Sequence, residues 1–231
     1  MIGIIGAMES EVEKLRDAMD ITGKQNVAGM VFYCGRINDM EVVLVRSGVG
    51  KVNAAICTQI LCDLYGVDVV LNTGIAGSLC ADINIGDIVI SNDAVQHDMD
   101  ARYFGYDPGV IPQQDVSVFA ADKDLADMAE EACRRVNPDI NVFRGRVLSG
   151  DQFIAEKAKK EWLADTFSGM CTEMEGAAVA HAAYRNGVPF LIIRAISDKA
   201  DDSATEDYVT FEAKAIEHMV KLTLELMKEA E

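Results

Sequence analysis

Four short stretches of this chain place acid or glycine where an apolar run gives out. Glu11 follows residues 2–5, Thr73-Gly74-Ile75-Ala76-Gly77 follows 67–72, Glu173-Met174-Glu175 closes an apolar segment, and Asp198 ends the run 188–197. Carboxylates can give or take a proton, and glycine-rich turns let a ligand approach backbone N–H groups. In open α/β sheets ligands collect beyond the carboxyl ends of strands, so the coincidence of these features at such ends is the main signal.

Each feature also has a plainer account. Glu11 falls in a first helical turn, where a carboxylate suits the helix dipole. Glu175 opens a helix in the same way, although two charges in Glu-Met-Glu beside a buried sheet are costly without partners. Ser197-Asp198 can cap the following segment. The stretch 73–77 reads either as a phosphate cradle or as a tight strand-to-helix turn, and it lacks the Lys and Ser/Thr of a P-loop and the full G-x-G-x-x-G pattern. Glu173 has a structural alternative, an ion pair with Arg194, and His97 and His181 read as core or supporting groups. A glycosidase using Glu11 and Glu175 is conceivable, but sequence gives no separation between the two carboxylates.

Positioning these groups falls to a regular alternation of elements. Residues 2–5 form an apolar run ending at Gly6, and Met8, Val12 and Leu15 recur at helical spacing, so the chain opens as strand, turn and helix. Residues 30–34 and 41–46 read as a hairpin. Residues 51–65 read as a helix stopped by Gly66, 67–72 as a strand breaking at Thr73, and 86–91 as another strand. The stretch 99–118, with Pro108, Pro112 and several aromatics, is a long loop of a kind that is either functional or disordered. Helices over 122–136, 156–165, 175–186 and 211–228, with strands over 142–149 and 188–196, complete the pattern. Strands that alternate with helices and are apolar on both faces imply an α/β fold, a central, mostly parallel sheet flanked by helices. No repeat or linker interrupts it, so 1–231 reads as a single domain.

Composition excludes several classes of function. Half of the 231 residues are hydrophobic, which is incompatible with disorder. A chain of this length buries roughly 70% of its unfolded surface and needs no metal or disulfide staple. With 21 Lys+Arg against 38 Asp+Glu the net charge is −17, which disfavours nucleic acid and anionic membranes as partners. Cysteines at 34, 57, 62, 80, 133 and 171 form no C-x-x-C, and only His97, His181 and His218 stand beside them, so no metal site or disulfide framework is legible. Free thiols in apolar runs suit a reducing cytoplasm. No basic residue precedes Lys14 and no apolar run reaches roughly 18 residues, so a soluble, cytoplasmic protein is expected.

Six stretches together carry a resemblance. They are Ile4-Ile5-Gly6-Ala7-Met8-Glu9-Ser10-Glu11, Ser47-Gly48-Val49-Gly50-Lys51-Val52-Asn53-Ala54-Ala55, Asn72-Thr73-Gly74-Ile75-Ala76-Gly77, Ser149-Gly150-Asp151-Gln152-Phe153-Ile154, Glu173-Met174-Glu175-Gly176-Ala177 and Arg194-Ala195-Ile196-Ser197-Asp198-Lys199-Ala200. In this order, and over essentially the whole chain, they resemble the 5′-methylthioadenosine/S-adenosylhomocysteine nucleosidases of the purine nucleoside phosphorylase superfamily. The resemblance implies a mixed sheet flanked by helices, hydrolysis of the N-glycosidic bond of 5′-substituted adenosines with release of adenine, no metal or other cofactor, and a homodimer.

Carried over residue by residue, the resemblance makes Asp198 the general acid at adenine N7 and Glu11 the base for the water that attacks C1′. Glu175 and the Met174 backbone would hold the ribose hydroxyls, Phe153 would stack near adenine, and the Ile154 backbone would read its Watson–Crick edge. Ser197 would be a polar contact near the base, Arg194 an orienter of Glu11, Glu175 or the water, and Ala76 and Gly77 would lie along the substrate. Met8, Val49 and Tyr208 would border the 5′ substituent, with Ala101 and Phe104 supplied by a partner chain. Three positions depart from the pattern. Ile75 stands where many members carry Ser, Ser78 where they carry a second Gly, and Tyr208 where Phe is expected. These departures bear on the preferred 5′ substituent rather than on the bond cleaved. The rival readings are a phosphorylase, for which Arg46 is the one candidate phosphate ligand near these motifs, an aminofutalosine hydrolase with the same carboxylates, and a non-catalytic nucleoside-binding protein.

Overall fold

Branched and apolar residues in short runs pair side by side, and the helices between them cover both faces. The computed structural model describes residues 1–200 and 204–229. In chain order the elements are β1 (Ile2–Gly6), α1 (Glu9–Asp17), β2 (Asp20–Val27), β3 (Met30–Ile37), β4 (Met40–Arg46), α2 (Lys51–Ile60), β5 (Val69–Ser78), β6 (Ile88–Gln96), β7 (Phe119–Ala120), α3 (Lys123–Val136), β8 (Val142–Ser149), α4 (Lys157–Phe167), β9 (Gly169–Glu173), α5 (Gly176–Asn186), β10 (Phe190–Asp198) and α6 (Ala204–Glu229).

One sheet runs in the order β10-β6-β8-β9-β5-β1-β4-β3-β2, with β7 added to β6, and β10 returns to pair with β5. Strands β5, β10, β6, β8 and β9 therefore close into a ring. Pairing is parallel where β1 lies between β4 and β5, and in β5–β10, β6–β8 and β8–β9. It is antiparallel in β2–β3, β3–β4, β5–β9, β6–β7 and β6–β10. The sheet is thus mixed, and each parallel neighbour of β1 and β5 is reached through a helix or a long excursion, as parallel pairing requires.

Successive residues of β1 serve opposite layers. Ile4 belongs to one buried cluster with Leu15 of α1, Leu71, Ile193 and Met219 of α6, while Ile5 belongs to the other with Val43, Val70, Cys57 of α2 and Val179 of α5. This two-residue period is why a strand covered on both faces reads as a continuous apolar run. Burying each such Ile or Leu contributes about 1.5–3 kcal/mol.

The structure departs from the sequence reading at particular places. The Gly-rich stretch 73–77 is not a turn: it continues β5 to Ser78. Strands β2, β7 and β9 have no counterpart in the sequence reading, and α6 begins at Ala204, before the expected start at 211. The helix over 51–65 changes to a π turn over Leu61–Tyr65 and stops at Gly66 with φ +59, as a left-handed stop favours glycine. Within 99–118 the chain forms one short 3₁₀ turn, Arg102–Phe104.

Candidate active site

The turn from β1 into α1 folds Glu11 inward. Its Oε2 accepts hydrogen bonds from the N–H groups of Ala7 at 2.7 Å and Met8 at 2.9 Å, and its Oε1 from Ile75 N–H at 3.1 Å. The bond to Met8 is half of a capping arrangement, so the plain helix-dipole account of Glu11 is partly right. It is incomplete, because the side chain is 3% exposed and bridges to β5. A Cβ on Gly74 would lie 2.5 Å from Glu11 Oε1, which explains the glycine in mid-strand. Burial pushes the Glu11 carboxyl above its ordinary value, against the opposing pull of Arg194 and the three N–H donors.

Glu173 and Glu175 are separated by one residue and divide two tasks. Glu173 Oε2 accepts from Arg194 at 2.5 Å and from the N–H groups of Glu175 and Gly176, and Ser149 Oγ donates to its Oε1. Ser149 Oγ in turn accepts from Ala177 N–H at 2.7 Å. Glu173 and Ser149 thereby satisfy the orphan donors at the start of α5. Glu175 is left free of capping and accepts instead from Gly50 N–H at 2.7 Å. Burial first, and then the charge of Glu173, push the Glu175 carboxyl up to about 8.

Arg194 sits entirely under this turn. Its donors go to Glu173, to Asn72 through both the backbone and the side-chain oxygen, and to the Ile193 carbonyl. It makes no hydrogen bond to Glu11 or Glu175 and acts on both through its charge. The ion pair with Glu173 that the sequence offered as a structural alternative is therefore its main contact.

Asp198 owes its position to an irregularity in β10. The register against β5 slips between Ile196 and Asp198, so Ser197 is the extra residue and Asp198 stands opposite Gly77. Asp198 accepts from Ser197 Oγ at 2.9 Å and from Ala200 N–H at 2.8 Å. A Cβ on Gly77 would fall 2.6 Å from Asp198 Oδ1.

These carboxylates line one cavity of about 350 Å³. Of the expected site residues, Met8, Glu11, Val49, Ala76, Gly77, Phe153, Met174, Glu175, Ser197, Asp198 and Tyr208 all border it. The Tyr208 hydroxyl donates to Met8 Sδ at 3.3 Å and its ring meets Phe153 edge-on at 6.0 Å. Burial raises the Tyr208 phenol to about 12, so it stays a donor. Ile154 borders a smaller adjoining space with Gly77, Phe153 and Asp198. Ala101 and Phe104 of the same chain do not reach the cavity, and Phe104 is 83% exposed. Ala7, Thr172, Glu173 and Thr205 also border it without having been expected as lining residues, and so does Ile75, one of the three departures from the family pattern. Glu173 had a signal in the paired acids of Glu-Met-Glu, whereas Thr172 and Thr205 lie in β9 and the first turn of α6, elements or ends that the sequence pattern did not give. His97 and His181 lie outside the cavity; His181 stacks on Phe119.

Comparison with known proteins places the chain in a family. The model of the Phosphorylase superfamily matches residues 1–228. A 5′-methylthioadenosine/S-adenosylhomocysteine nucleosidase of Staphylococcus carnosus is 42% identical over 229 residues, covering 99% of each chain. The Neisseria meningitidis enzyme of that name, solved with methylthio-immucillin-A, superposes with a TM-score of 0.94 at 35% identity and 98% coverage of both chains. A futalosine hydrolase of Helicobacter pylori superposes with a TM-score of 0.93 at 32% identity, covering 99% of this chain and 97% of that one. The chain belongs to the Phosphorylase superfamily and, within it, to the 5′-methylthioadenosine/S-adenosylhomocysteine nucleosidases.

Proposed function

We propose that this protein hydrolyses the N-glycosidic bond of 5′-methylthioadenosine, S-adenosylhomocysteine and related 5′-substituted adenosines, releasing adenine. The observation that carries the reading is the convergence of Glu11, Glu175 and Asp198 on one cavity of nucleoside size. Asp198 gives a proton to adenine N7 as the C1′–N9 bond breaks and its electron pair goes to the base, which avoids expelling an anion. Glu175 accepts hydrogen bonds from the ribose hydroxyls, and the positive charge developing on the sugar favours the ionised form of this carboxylate, which burial and Glu173 otherwise oppose. Glu11 takes a proton from the water whose oxygen bonds to C1′. Its raised pKa makes it a stronger base than an exposed carboxylate. Phe153 and the Ile154 backbone hold adenine, Ser197 contacts the base, and Met8, Val49 and Tyr208 face the 5′ group.

Phosphate is a poor fit for the same place. Glu11 would repel it, Arg194 is committed to Glu173 and Asn72, and Arg46 does not border the cavity. The likeness to a futalosine hydrolase favours one second reading, aminofutalosine as the substrate of the same three carboxylates.

The active unit is a homodimer in the reducing cytoplasm, where unpaired cysteines are stable. Val52 and Ile56 of α2 and Tyr103 and Phe104 of the 3₁₀ turn expose apolar surface, and the 2.6 Å Lys51–Asp98 pair ties the two segments together. A second copy covering this surface would bring its Ala101 and Phe104 to the 5′ end of the site.

Incubation with methylthioadenosine or aminofutalosine, with and without phosphate, tests the reading. Adenine with free 5-methylthioribose, at a rate indifferent to phosphate, is expected. A sugar 1-phosphate, or turnover of aminofutalosine alone, would overturn it.

A further inference from the structure

An open groove of about 490 Å³ runs beside the cavity, and the two share Ala7, Met8 and Val49. The 5′ end of the cavity is apolar, a thioether, an isopropyl group and a phenol ring. The groove beyond it is polar, with Glu9, Arg46 and Asn53 in its walls. In the proposed reading a 5′-methylthio group lies against Met8 and Val49, which the cavity and the groove share. A longer thioether substituent would pass Met8 and Val49 into the groove.

Two charges of opposite sign meet there. Arg46 ends β4 with its side chain 57% exposed, and its Nη1 lies 3.5 Å from Glu9 Oε2. Glu9 Oε1 accepts from Arg16 at 2.6 Å, which holds the carboxylate in place. An exposed pair at the Arg46–Glu9 distance contributes little, so the guanidinium can turn to a ligand at small cost. A planar guanidinium binds a carboxylate through two parallel hydrogen bonds, and a fixed carboxylate binds an ammonium. The groove therefore matches a zwitterion carried on a short chain.

We propose that this groove binds the amino-acid tail of S-adenosylhomocysteine, Arg46 taking the carboxylate and Glu9 the ammonium. Arg46 then determines specificity: it separates substrates with a charged tail from those with a plain alkylthio group. The proposal rests on the reading of the cavity as a nucleosidase site.

The test measures kcat/KM for methylthioadenosine, S-adenosylhomocysteine and 5′-(3-aminopropylthio)adenosine, which keeps the ammonium and lacks the carboxylate. Wild type is compared with Arg46→Gln and Arg46→Glu. In Arg46→Gln the ratio of the S-adenosylhomocysteine value to the methylthioadenosine value should fall about tenfold, the size of one lost charge-assisted contact. In Arg46→Glu it should fall further, while the aminopropylthio compound gains. An equal factor on all three substrates would mean a structural role and overturn the proposal. So would an unchanged ratio, or wild type that cleaves methylthioadenosine and not S-adenosylhomocysteine. Release of adenine from none of the three would instead defeat the nucleosidase reading, and this proposal with it.

Discussion

At the residue scale, the burial that tunes Glu11 and Glu175 works against folding. A carboxyl whose folded pKa is raised binds more protons folded than unfolded, so stability falls as pH rises through the window between the two values. For Glu175 that window runs from 4.5 to about 8. Thermal melts at about pH 5 and about pH 8.5 should therefore show a smaller loss of Tm in Glu175→Gln than in wild type, because the amide has nothing to ionise. Catalysis by the proposed mechanism has the opposite dependence, since Glu11 would have to be ionised to take a proton: the acidic limb of kcat/KM should lie above the ordinary carboxylate range. Asp198→Asn keeps shape but has no acidic proton, and should cost on the order of 10²–10⁴ in single-turnover rate on methylthioadenosine. That loss should shrink on an analogue whose base leaves without protonation. Glu11→Gln should slow both substrates alike. An equal loss for Asp198→Asn on both would remove it as proton donor.

At the scale of elements, the site hangs on the junction of β9, α5 and β10. Arg194→Met leaves Glu173 buried without its cation, which should cost about 3–5 kcal/mol in denaturant unfolding. Adding Glu173→Gln to it should recover part of that loss, and a failure to recover would mean the pair is not what holds the turn. The same junction shows what a reader of the sequence can and cannot extract. The alternation of strands and helices was legible because strands covered on both faces are apolar throughout, and the acids at their ends announced themselves. Gly74 and Gly77 misled, since glycine marks a turn by default. Here they make room within a strand for Glu11 Oε1 and Asp198 Oδ1, each of which would meet an added Cβ at 2.5 or 2.6 Å. Strand β2, Asp-Ile-Thr-Gly-Lys-Gln-Asn-Val, is an exposed edge whose stability comes from backbone bonds to β3, so no apolar pattern betrays it. Of the partners of Arg194, Glu173 was offered by the sequence and Asn72 was not, because the packing of β5 against β10 and not sequence spacing brings Asn72 to it.

At the scale of the molecule, a net charge of −17 opposes the association that the apolar surface of α2 and the 3₁₀ turn would drive. Screening should relieve it, so the proposed dimer, followed by sedimentation, should tighten as salt rises from about 10 mM to about 150 mM. Dilution to a monomeric state should abolish cleavage of methylthioadenosine, and full specific activity there would contradict a shared site. The cavity also joins segments far apart in sequence, with Met8 of the turn before α1 bonded to Tyr208 of α6 and Ser10 bonded to Glu212. A ribosome making this protein must therefore release α6 as well as β1 and α1 before the pocket exists. Nascent chains shorter than that have nowhere to hold a nucleoside, so an inhibitor present during synthesis can stabilise finished molecules but cannot guide the folding of growing ones.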